Sequence, residues 1–215
     1  MRFAEKIKAP TGDRPQFAFQ QMYYESIRDR AKGSVVLHLT WPDGTVIDHR
    51  EVPNIIVYDC GVLVGRLLKN SLVPVLARSN GINMLAVGTG ALGDLLNPDA
   101  PKPGQRKLNH ELARKAVTAQ YRTDGGIAVS YPTHIVDFTV TFGESEANGP
   151  LNEMGLLSAY DLSETTDANT INNGPDDYDP TIDVTNKDLF LNYLCYPVCT
   201  KPVGSILAIT WRVTV

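Results

Sequence analysis

The sequence has no surplus of positive charge: 20 Lys and Arg stand against 24 Asp and Glu, a formal net charge of −4. Phosphate backbones are gripped mainly by clustered cations, so this balance argues against a nucleic-acid partner. Long apolar runs are missing as well. No window reaches the roughly 18 continuous apolar residues of a membrane span, so no membrane partner is expected. Met1 to Lys8 carries charges where a secretory signal needs an apolar core. Cysteine is scarce, and Cys60, Cys195 and Cys199 form no disulfide framework. Extended chain would put Cys195 and Cys199 about 13 Å apart, beyond the ~7 Å Cα separation of a bridge. Free thiols, in a chain made in a reducing cytoplasm, are the expectation. No internal repeat and no low-complexity linker is visible.

Enough apolar material remains for one core. Hydrophobic residues are 43% and charged residues 20% of 215, which excludes disorder of the whole chain. Residues 1–33 read as an N-terminal arm with a short helix over 16–30. Its Phe17, Phe19, Tyr23 and Tyr24 are candidate interface residues, for a neighbouring subunit or for the arm's own domain. Residues 34–215 read as a single β-rich domain carrying a polar, acidic surface insertion at 161–183.

Alternation of Val35, Leu37, Leu39 and Trp41 with Val36, His38 and Thr40 predicts a half-buried strand. Pro42-Asp43-Gly44 then turns the chain into a return strand over 45–52. With Trp41 facing Thr45, His38 falls opposite Asp48, as a surface hydrogen bond or half a metal site. Cys60, Val64, Leu67 and Leu68 recur at helical spacing and predict a helix over 59–69. Residues 81–87 predict a buried strand opening into a Gly- and Pro-rich loop over 88–106. Leu108 and Leu112 predict a short helix over 108–113, followed by irregular extended chain over 114–133. Strands are clearest over 134–142 and 205–215, with others over 151–158 and 189–198. The expected fold is mainly β, of α+β type: an antiparallel β-sandwich-like domain with one or two short packed helices and the arm.

Several motifs carry the letters of chemistry without its context. Gly88-Thr89-Gly90-Ala91-Leu92-Gly93 matches a dinucleotide-binding turn, but Pro98, Pro101 and Pro103 forbid the helix that must follow. Gly143-Glu144-Ser145-Glu146-Ala147 departs from a nucleophile elbow, with carboxylates flanking the serine and alanine in place of the second glycine. Glu144, Glu146 and Glu153 could supply a glycosidase pair, yet no aromatic sugar platform adjoins them. Asp176, Asp177, Asp179 and Asp183 are the weak candidates for calcium in an otherwise solvated loop, since the EF-hand glycine and glutamate are missing. No acid, base and nucleophile assemble, so the chain reads as a non-enzyme without cofactor. Glu153 reads instead as a structural anchor. Gly149 and Gly155 would allow turns on either side, and its carboxylate would accept backbone N–H groups or pair with Arg114 or Arg66.

Three segments in order carry a resemblance: Asn83-Met84-Leu85-Ala86-Val87-Gly88-Thr89-Gly90, then Leu108-Asn109-His110-Glu111-Leu112-Ala113-Arg114, then Glu146-Ala147-Asn148-Gly149-Pro150-Leu151-Asn152-Glu153-Met154-Gly155-Leu156. Phe138-Thr139-Val140-Thr141-Phe142 precedes the last. This order resembles the attachment domains of tailed-bacteriophage tail-fibre and baseplate proteins, with their ΦAVGxG strand, LxxELxR segment and acidic-glycine turn into EΦGLΦ. The likeness spans roughly residues 54–158. It implies a virion structural subunit, made in the bacterial host cytoplasm, that binds identical copies in a ring or trimer and other virion tail proteins. With no repeat and no shaft, an adaptor at the tail baseplate or fibre attachment point is expected, its contacts made by the arm and the C-terminal strand. A capsid decoration or neck (collar) protein is the alternative within the particle. A carbohydrate-binding or glycan-acting virion protein, using Glu144, Glu146 or Glu153, is the alternative of another class.

Overall fold

A computed structural model describes residues 32–57, 60, 81–159 and 188–214. Residues 1–31 of the arm with its predicted helix, all but Cys60 of the predicted 59–69 helix, and the acidic insertion lie outside the described residues, while Lys32 and Gly33 of the expected arm open the first strand. Phe17, Phe19, Tyr23, Tyr24, Asp176, Asp177, Asp179 and Asp183 also lie outside the described residues.

Alternating apolar residues write the first sheet. In β1 (Lys32–Thr40), Val35, Leu37 and Leu39 are buried while the residues between them are part-exposed. It pairs with β2 (Val46–Pro53) on one side and β11 (Ile206–Thr214) on the other. β11 continues to β8 (Ile135–Phe142), then β6 (Thr118–Arg122) and β7 (Ala128–Val129). The order is β2-β1-β11-β8-β6-β7, antiparallel throughout. The second sheet is built from β3 (Ile55–Ile56), β10 (Leu189–Lys201), β9 (Gly149–Ser158), β4 (Met84–Gly88) and β5 (Glu111–Ala116), in that order and also antiparallel.

Val35, Leu39, Phe142 and Trp211 of the first sheet join Leu85, Val87, Met154 and Leu156 of the second in one hydrophobic cluster. The second sheet is buried on its other face too, where Met84, Ala86, Leu108, Leu157, Phe190 and Tyr193 form a separate cluster. Burial on two faces explains why β4 reads as a continuous apolar run, while β1 and β11 alternate. Each large side chain withdrawn from water here contributes about 1.5–3 kcal/mol.

Two expectations need correction. The predicted 108–113 helix is not formed: Leu108 lies in a loop and Glu111–Ala116 is strand β5. Leu108 and Leu112 enter different clusters, so their helical spacing never shared a face; pairing with β4 overrides local propensity. In the first hairpin, Trp41 N–H does bond Thr45 C=O, but a bulge between Leu39 and Thr40 shifts the ladder by one residue. His38 therefore faces His49, and Asp48 faces Leu39. The C-terminal strand β11 lies inside its sheet between β1 and β8, which leaves the side chains of its outer face, and not its backbone edges, for contact with a neighbour.

The stretch over 114–133 is more regular than expected. It contains the end of β5, then β6 and β7 joined by a turn in which Gly126 takes φ +79°. Only Val117 separates β5 in one sheet from β6 in the other, and its side chain packs against the shared core.

Candidate functional site

Glu153 sits in the middle of β9, between Gly88 of β4 and Cys195 of β10, and is fully buried. Its Oε1 accepts the backbone N–H of Gly90 at 2.9 Å and of His110 at 2.8 Å. Its Oε2 accepts the N–H of Asn109 at 3.0 Å and the hydroxyl of Tyr193 at 2.7 Å. A carboxylate offers about four acceptor sites, so four donors leave none for a reactant. The expectation of an anchor on backbone N–H groups is met. The fourth donor, Tyr193, is one the sequence did not suggest; its phenol is pushed up by burial and then by the Glu153 charge, and so keeps its proton.

The first two of the three glycines in the dinucleotide-like motif serve this carboxylate. A Cβ on Gly88 would lie 2.4 Å from His110 O and 2.8 Å from Glu153 Oε1; one on Gly90 would lie 2.4 Å from His110 N and 2.7 Å from the same oxygen. Glycine is needed because backbone must close around a side-chain anion. The chain leaves the clamp at Gly90 and returns to it at Asn109. Thr89 N–H to His110 C=O (3.0 Å), Asn109 Nδ2 to Gly90 C=O (3.0 Å) and Ala91 N–H to Asn152 Oδ1 (3.0 Å) complete the neck. No helix follows the glycines; residues 91–108 form an excursion with a bridge between Gly93 and Pro98. It leans on the bulged part of β10 through Val198 N–H to Leu95 C=O at 2.8 Å. Its tip displays Leu92, Leu95 and Leu96, which are 60%, 60% and 67% exposed.

Gly149 and Gly155 differ in role. Gly149 opens β9 with φ +132°, a conformation that favours glycine, as the turn reading expected. Gly155 makes no turn: it is mid-strand, and the ring of Phe190 occupies the space of its absent side chain, with Cε1 at 2.1 Å from a Cβ placed there. Gly155→Ala is expected to destabilise the fold by about 1–3 kcal/mol through overpacking. Urea titration would measure it, and combining it with Phe190→Leu should recover part of the loss; unchanged stability in the single variant would refute the contact.

Arg114 does not meet Glu153. It is buried between Glu111, through paired contacts of Nε and Nη2, and Asp188, 2.9 Å from Nη1. Burial works against the guanidinium charge, but the two carboxylates outweigh it and hold Arg114 above its usual range. Burial pushes the Glu111 carboxyl up, against the pull of Arg114. Small Ala86 lies beside Arg114 in the ladder. Asp188 was invisible to sequence reasoning because it stands far along the chain at the edge of the acidic stretch.

The remaining candidates fall elsewhere. Glu144 and Ser145 are exposed in the turn between β8 and β9. Glu146 accepts Gly143 N–H at 2.7 Å and pairs with Lys115 at 2.8 Å. Burial opposes its charge, but Lys115 and the Gly143 N–H outweigh it and lower its pKa. It therefore belongs to a different hydrogen-bond group from Glu153. Arg66 lies outside the described residues. Cys60, Cys195 and Cys199 are in no disulfide. Burial, then the adjoining Asp48 carboxylate, push the Cys199 thiol up to about 12. Among the described residues no helix is long and apolar enough to cross a membrane, and no three His, Cys, Asp or Glu gather as a metal site.

Sequence reasoning also missed buried Asp137, clasped by Arg122 at 2.9 Å and by Arg212 at 2.7 and 2.9 Å. The available signal was one acid inside an otherwise apolar and threonine-rich strand. No family model, curated protein or solved structure matches the chain.

Proposed function

We propose that this chain is a non-enzymatic structural subunit of a bacteriophage virion, an adaptor of the tail baseplate or fibre attachment point. Its two antiparallel sheets, pooling their apolar faces in one core, act as a β-sandwich scaffold, and the subunit assembles with identical copies and with other tail proteins. The observation that carries this reading is the Glu153 clamp. A buried carboxylate with all its acceptor sites filled fixes both ends of a loop whose tip exposes Leu92, Leu95 and Leu96. Exposing three leucines on a pinned loop is disfavoured in water and favoured where another protein covers them. The same carboxylate is the centre of the segments that resemble phage attachment domains. Closed rings and trimers are the arrangements such repeated contacts give.

The test is the mass of the purified full-length chain by light scattering, together with its binding to isolated tail components. A ring or trimer that falls apart on Leu92→Asp with Leu96→Asp, at unchanged melting temperature, is the expected result. A stable monomer with no affinity for tail components would overturn the proposal.

A further inference from the structure

The bulge in the first hairpin places two histidines side by side where simple pairing would have set a histidine against an aspartate. His38 of β1 and His49 of edge strand β2 are direct cross-strand partners on the outer face of the six-stranded sheet. Their Nδ1 atoms lie 3.1 Å apart and their rings meet edge to face, with centroids 5.3 Å apart. In the neutral pair one Nδ1–H donates to the other Nδ1. Shifting that proton to its own ring's Nε2 leaves two lone pairs facing one small gap.

That gap has the size of a metal chelate. With metal–nitrogen bonds of about 2.0–2.1 Å, two ligands at a tetrahedral angle are about 3.3 Å apart and two at a right angle about 2.9 Å apart. The observed spacing falls between them. The surroundings suit a cation: Ala208, beside His38 on β11, is small, and Glu51 adds a carboxylate one step along the same face of β2. His49 is exposed and His38 part-exposed, so water can complete the coordination sphere.

We infer that His38 and His49 form a two-imidazole site for a divalent transition-metal ion of the zinc, nickel and copper class. Imidazole nitrogen suits these ions, and affinity should be greatest for Cu²⁺. The ion ties the edge strand to its neighbour.

The experiment titrates the untagged full-length chain with Ni²⁺, Cu²⁺ and Zn²⁺ separately by calorimetry, and follows imidazole ¹⁵N resonances with Zn²⁺. The chain has only four histidines, so His38→Gln and His49→Gln are compared with His110→Gln and His134→Gln. Expected are one ion per chain, Zn²⁺-induced shifts of both Nδ1 atoms, and a rise in melting temperature on loading. Removing either partner should weaken Ni²⁺ binding by about tenfold or more, with the two control variants unchanged. Since both side chains lie on the outer face of an edge hairpin, the variants should stay folded, which circular dichroism verifies. Absence of saturable binding, survival of binding in either His38→Gln or His49→Gln, or its loss in a control would each overturn the assignment.

Discussion

Glu153→Ala is expected to remove about 4 kcal/mol or more of stability, near the limit of what a single substitution does. Three backbone N–H groups and a tyrosine hydroxyl lose their common acceptor. A buried donor left unsatisfied costs about 1–3 kcal/mol, and a domain holds only about 5–15 kcal/mol in total. The alanine variant therefore stands at the margin of folding. Glu153→Gln is the informative companion. It preserves shape and one carbonyl oxygen but turns an NH₂ group toward donors. Its expected signature is local: faster hydrogen exchange at Gly90, Asn109 and His110, with the β1–β11–β8 ladder still protected. Stability within about 0.5 kcal/mol of the parent for both variants would sink the clamp as an architectural element.

Arg114→Met should be comparably severe, costing about 3–5 kcal/mol, because it leaves Glu111 and Asp188 buried without the cation that joins them. The variant should also acquire a distinctive pH response. Burial already raises the Glu111 carboxyl in the parent, and removing Arg114 removes the opposing pull. A carboxyl whose folded pKa exceeds its unfolded one binds more protons when folded. Stability of the variant should thus fall, relative to the parent, as pH rises from the ordinary carboxylate range through the raised value. Denaturant titrations at a series of pH values would show this, and a pH-independent difference would contradict it. Replacing the whole group, with Glu111→Leu and Asp188→Leu added to Arg114→Met, should restore much of the loss.

These residues also mark where sequence reading succeeds. Strands with a strict period of two, such as those holding Val136 to Phe142 and Leu207 to Val213, were legible because each keeps one face to the core. The role of Glu153 was legible because a lone acid among Leu151, Met154 and Leu156 must be satisfied where it is buried. What failed depended on distant pairing. A bulge of one residue at Ile47 reassigned the partner of His38, and no local pattern announces a bulge. Gly155 looked like a turn glycine because its true reason, the ring of Phe190, lies on another strand. Leu108 and Leu112 mimicked a helix because two separate clusters happened to sample one spacing. The exposure of the leucines at 92, 95 and 96 has no signal in the Gly- and Pro-rich connection that holds them, because it depends on where the loop leaves and re-enters the fold.

The single-residue passage at Val117 has a mechanical consequence. With Ala116 in one layer and Thr118 in the other, a tensile load on either layer crosses to its partner along covalent backbone over the shortest path the chain allows. Asn54 makes the same one-residue passage between β2 and β3, so covalent backbone ties the two layers together at two separate places and a displacement of one layer is passed directly to the other.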